Sequence, residues 1–189
     1  MERRDLFRIL GATLVTAESA PAQHHTRSAS AAGKVAAGYK PRAFSEAEYA
    51  TMGALCEVVV PTDEHSPGAL EAGVPYFIDT TLLYAPPASI AVWRRGLDAV
   101  EQESKRHWSR AFLALTATEK VELVTEMARN EASPQNELER FFVLLKSQTL
   151  NAYYLSEVGR TNELGYRGNQ AVKEFPGCRH LEHHGNHNG

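Results

Sequence analysis

From Gln135 to Val158 the chain contains neither proline nor glycine, and its middle, FFVLLKSQTLNAYYL, is apolar on nearly every side. Ser133 before Pro134 reads as a cap followed by proline at the first helical position, and Gly159 supplies a stop. The stretch therefore predicts one long helix over 135–158. A helix apolar all round must be enclosed, in a core or under a partner. Phe141, Phe142, Leu145, Tyr153 and Tyr154 leave it little polar face, and a chain of 189 residues has few other elements to cover it. These five residues are expected to meet a partner chain.

The segments around it are also helical in pattern. Ser45 with Glu48 makes a capping box, and Tyr49, Met52, Cys56 and Val59 then share a face up to the break at Pro61. After the loop PTDEHSPGALEAGV, Pro75 opens a helix carrying Phe77, Ile78 and Leu82, closed by Pro86-Pro87. Ile90, Trp93, Leu97 and Val100 form one stripe from about Ala88 to Trp108, and Thr116 with Glu119 makes a second capping box before Val121, Val124 and Met127. Gly165, Gly168, Pro176 and Gly177 mark an irregular tail. No alternating strand pattern or internal repeat occurs, so the expected fold class is all-α: an irregular domain of about five helices over 44–180 with a loop-rich C-terminal tail.

The N-terminus reads as processing rather than fold. In ERRDLFR, Arg3 and Arg4 stand as an export signal of the twin-arginine kind, with Arg8 completing a positive region before the short apolar run Ile9 to Ala17. Ala20-Pro21-Ala22 offers a small-residue cleavage site, giving a signal over 1–22. The alternative is a short surface helix with a trailing tail. The apolar run has about half the roughly 20 residues a membrane span needs. Residues 23–43 are rich in Ala, Ser, Gly and His, with almost no large apolar side chains, and read as a linker or extended arm.

Function classes can be excluded on chemistry. A net charge of -3 with interspersed signs does not make a nucleic-acid surface. There is no G-x-G-x-x-G, P-loop, G-x-S-x-G or C-x-x-C-H, and two cysteines are too few for a four-thiolate cluster. No catalytic, cofactor-binding or metal-ligating residue is assigned. Cys56 and Cys178 are either buried thiols or, in an oxidising compartment, a bridge tying the tail to the first helix. His180, His183, His184 and His187 lie in a flexible His-rich end over 181–189 and just before it, able to take up metal loosely. Asp63, Glu64 and His65 share a loop, a place where catalytic groups stand, although three polar neighbours on a Pro-bounded loop are more often just solvated turn residues.

The order VVVPTDEHSPGALEAGVPYFID, WRRGLDAV, FFVLLKSQTLNAYYLSEVG, YRGN and FPGC with a nearby His resembles the small (gamma) subunit family of membrane-bound gluconate 2-dehydrogenase and related FAD-dependent sugar dehydrogenases. The resemblance covers about Phe44 to His180. It implies a non-catalytic subunit of a periplasmic complex, associated with the inner membrane through that complex. FAD would sit in a large subunit of the GMC type, and haem c in a possible multi-haem cytochrome c subunit. It further implies that this chain carries the twin-arginine signal for the flavoprotein and assists its maturation. Glu2 departs from the family signal, which more often has Ser or Thr there. Two other classes stay open: an independent periplasmic metal-binding protein using the C-terminal histidines, and a stand-alone helical enzyme acting through Asp63 to His65.

Overall fold

A computed structural model describes residues 38–169, in which five α-helices and two short helical turns account for the regular structure. The helices are α1 (Glu46–Val59), α2 (Val74–Leu82), α3 (Pro87–Trp108), α4 (Ala117–Met127) and α5 (Glu137–Leu155). A 3-10 turn at Phe112–Ala114 links α3 to α4, and a π-helical turn at Gly159–Glu163 follows α5. The fold class is all-α, as expected. No described helix is long and apolar enough to cross a membrane.

Both predicted capping boxes form. Ser45 Oγ accepts from Glu48 N while Ser45 N donates to Glu48 Oε2 at 2.6 Å, and Thr116 with Glu119 repeats the exchange at the start of α4. Each cap contributes about 1 kcal/mol by satisfying donors that the first turn leaves free. Gly73 stands immediately before α2 at φ 76°, a left-handed conformation that glycine adopts without strain, and Pro75 lies in the first turn.

The central helix is shorter than its sequence predicts at both ends. Its cap is Asn136, not Ser133: Asn136 Oδ1 accepts from Glu139 N at 2.9 Å. Glu139 then reaches back to accept from Gln135 N and Asn130 Nδ2, folding the preceding turn over the helix start. At the other end the helix stops at Leu155 because Ser156 is extended, its hydroxyl donating to Tyr153 O and accepting from Gly159 N. Gly159 lies beyond this stop; a Cβ there would stand 2.2 Å from Tyr153 O.

Helix α5 packs against each of α1, α2, α3 and α4. That arrangement accounts for its all-round apolar composition. Met52 and Leu55 of α1, Val74 and Ile78 of α2, Trp93 and Leu97 of α3, and Leu123 and Met127 of α4 are buried in the same cluster as Phe141, Phe142, Leu145 and Tyr153. Burying each such side chain is worth about 1.5–3 kcal/mol. Helices α3 and α5 meet at Gly96, where a Cβ would stand 2.0 Å from the Phe141 ring, while Trp93 meets the same ring edge-on at 5.5 Å.

The folded body also reaches further toward the N-terminus than the expected boundary at Phe44. Asp79, fully buried in α2, accepts from the Tyr39 hydroxyl at 2.5 Å and from the backbone N–H groups of Arg42, Ala43 and Phe44 at 2.9, 3.1 and 3.2 Å. Arg94 donates to Ala43 O at 2.9 Å, and the Phe44 ring lies against Trp93. Burial and the Asp79 hydrogen bond together raise the Tyr39 phenol well above its ordinary range. Residues 39–43 are thus a strap clasped to the body rather than a free arm.

Candidate functional site

For the five residues expected to meet a partner, the structure is a correction. Phe141, Phe142, Leu145 and Tyr153 are buried by the chain's own helices, and only Tyr154, 40% exposed, reaches the surface. Periodicity showed that α5 must be covered, and the chain covers it by itself. Tyr154 shares its exposure with the adjacent Leu155.

Tyr153 has a different task. Its hydroxyl donates to Pro67 O and lies 2.9 Å from Ser66 Oγ, holding the loop between α1 and α2 down on α5. Glu57 holds the same loop from the other side, accepting from Thr62 N, Thr62 Oγ1 and Leu70 N. Gly68 lies so close that a Cβ would stand 2.4 Å from Glu57 Oε1. Within the loop Asp63 Oδ1 accepts from His65 N and Ser66 N at 2.8 Å each, which keeps its carboxyl below the usual range. Glu64 and His65 point into solvent and, among the described residues, pair with each other. Asp63, Glu64 and His65 therefore form a solvated turn.

The rigid loop presents Leu70 to the outside, where it completes an apolar groove between α1 and α4. Ala54, Val58, Pro61, Leu70, Ala117 and Val121 line a volume of about 420 Å³, with Glu57 and Lys120 at its edge. Leu70 and Val121 are 51% and 53% exposed. The two edge charges are already engaged, Glu57 by the loop and Lys120 over the Phe112 ring at 5.8 Å. What the groove offers a visitor is thus chiefly aliphatic surface held on two capped helices. Exposed apolar patches of this kind mark contact sites more often than scattered single residues do.

Cys56 is fully buried, its sulfur accepting from Thr149 Oγ1 at 3.3 Å, and burial pushes the thiol up to about 12. Its expected partner Cys178, the export arginines Arg3 and Arg4, and the C-terminal histidines lie outside the described residues. Sequence reasoning missed the Asp79 clasp and the α1–α4 groove. It also missed a convergence of Glu103, His107 and Glu126, of which only the spacing of Glu103 and His107, one helical turn apart, was open to view.

Comparison with known families shows that the family model described as gluconate 2-dehydrogenase subunit 3 matches residues 46–177. No curated protein and no solved structure matches the chain.

Proposed function

Since the chain belongs to the gluconate 2-dehydrogenase subunit 3 family, we propose that it is the non-catalytic small subunit of a periplasmic, FAD-dependent sugar or sugar-acid dehydrogenase. In this role it binds the flavoprotein large subunit, of the GMC type, assists its maturation and carries the twin-arginine signal for both. A multi-haem cytochrome c subunit then passes electrons to the membrane. The observation that carries the proposal is the family match, which spans the body from the first turn of α1 to beyond the described tail.

The geometry is of a piece with a binding role. The side chains that sequence reasoning offered for catalysis form a solvated turn, whereas the α1–α4 groove is an open aliphatic surface on a rigid support. We assign that groove to the large subunit. Cys56 is a free thiol in the structure; in the oxidising compartment this reading implies we propose that it pairs with Cys178, which peptide mapping without reductant would detect as a linked peptide.

The test is reconstitution. The large subunit is produced with the full chain, with a Val121→Glu variant and alone, and its flavin content, dye-linked dehydrogenase activity and periplasmic fraction are measured. The full chain should raise all three, and the variant should bind the large subunit more weakly. A large subunit that is fully loaded, active and exported by itself would refute the proposal. Unimpaired assembly with the variant would move the contact away from the groove.

A further inference from the structure

We propose that Glu103, His107 and Glu126 form a site for a divalent transition-metal ion that ties the C-terminal half of α3 to α4. Glu103 and His107 project from the same side of α3, four residues apart, and Glu126 comes from the last turn of α4. His107 Nε2 lies 2.9 Å from Glu103 Oε1 and 3.4 Å from Glu126 Oε2, and the three ligand atoms are all within 4.8 Å of one another. In a tetrahedral zinc site with bonds of about 2.0–2.2 Å, ligand atoms stand roughly 3.3–3.5 Å apart. The side chains are already near that spacing, and small rotations suffice to reach it.

A cation already stands where the ion would. Arg106 pairs with both Glu103 oxygens, its Nε donating to Oε2 at 2.9 Å, and one of its terminal nitrogens lies 2.9 Å from His107 Nε2. A metal ion between the three ligands takes the Nε2 lone pair and a carboxylate oxygen from each glutamate, while Arg106, 63% exposed, gives up its pairing with Glu103 and swings outward. One nitrogen and two oxygens with a vacant position suit zinc and its neighbours among the first-row ions.

The fourth position has access to water. A cavity of about 420 Å³ opens beside the cluster, lined in part by Glu103, Arg106, Glu126, Arg129 and Asn130. Glu139, on the same wall, is committed to Asn130 and Gln135 and does not compete for the ion. Binding here joins two helices whose shared packing is mostly through α1 and α5, so the ion acts as a staple on the fold.

The experiment is zinc titration by calorimetry, with thermal melting, on the full chain in which His180, His183, His184 and His187 are replaced by asparagine. This removes the loose C-terminal ligands. The expected result is one zinc per chain and a raised melting temperature. His107→Ala and Glu126→Gln should each weaken binding by about tenfold or more, since losing even an outer-shell partner of a metal costs 10–100-fold. Arg106→Ala, which removes the competing cation, should tighten it. Loss of zinc binding with the tail histidines, equal affinity in His107→Ala, or unchanged or weaker binding in Arg106→Ala would each overturn the site.

Discussion

Replacing Asp79 with alanine should release the strap that joins the N-terminal segment to the helical body. The carboxylate is fully buried and accepts four hydrogen bonds, of which those from Ala43 N and Phe44 N lie in the interior. Removing it leaves those two backbone donors without partners at about 1–3 kcal/mol each. Some of this is recovered as water enters the vacated space, so about 3 kcal/mol is expected, or about a hundredfold in the opening equilibrium of the strap. Asparagine is an informative comparison. Its amide offers one oxygen, and the NH₂ group must then face either Arg42 N or the pair Ala43 N and Phe44 N, so the loss should be smaller but clear. The assay is limited trypsin digestion in native buffer, followed at the Arg42–Ala43 bond. Cleavage there reports the open population when opening and closing are fast. The alanine variant should be cut about a hundredfold faster, with core bonds near Trp93 and Phe141 still protected. Cleavage within about threefold of the parent would mean that Phe44 packing and the Arg94 contact hold the strap unaided, and the assigned role of Asp79 would fail.

Gly96→Ala should drive a methyl group into the Phe141 ring and lower the urea midpoint by an amount equivalent to about 1–2 kcal/mol, the steric cost exceeding alanine's helix preference. Adding Phe141→Leu should recover part of that loss, and strict additivity of the two changes would contradict the contact. Thr116→Ala should cost about 1 kcal/mol through loss of the α4 cap, measured as a shift in thermal midpoint, with no change indicating that the 3-10 turn fixes the helix start alone. On the acid side, Glu103, Glu119 and Glu139 are held below the ordinary glutamate range, respectively by the Arg106 guanidinium, the Thr116 N–H and the Gln135 N–H. Depressed folded values mean that their stabilisation is present above the unfolded value of about 4.3 and is lost as pH falls through the folded ones. The melting temperature should therefore drop below about pH 4.3, and Glu119→Gln should flatten part of that drop; an identical acid profile in the variant would count against it.

What could be read from the sequence was what is local. The capping boxes at Ser45 and Thr116 lie within single turns, and both form as read. The cap of α5 was misplaced because Ser133 and Asn136 compete within four residues, and the choice falls to Glu139, which folds the preceding turn back onto itself. Asp79 gave no signal, since its partners lie 35 to 40 residues away and a lone aspartate in a short amphipathic helix looks like a solvated one. Gly96 was equally silent: only the crossing of α3 over Phe141 makes its missing side chain matter. The composition of α5 correctly demanded a cover but carried no information on whose residues provide it. In the structure α1, α2, α3 and α4 do.

The central claim is that this chain serves a flavoprotein rather than a substrate of its own. Its most direct test is the FAD occupancy and dehydrogenase activity of the large subunit recovered from the periplasm of cells with and without this chain. With the chain present, the large subunit should be exported, loaded with flavin and active, and should co-purify with it. A large subunit that reaches the periplasm fully loaded and active in its absence would contradict the claim.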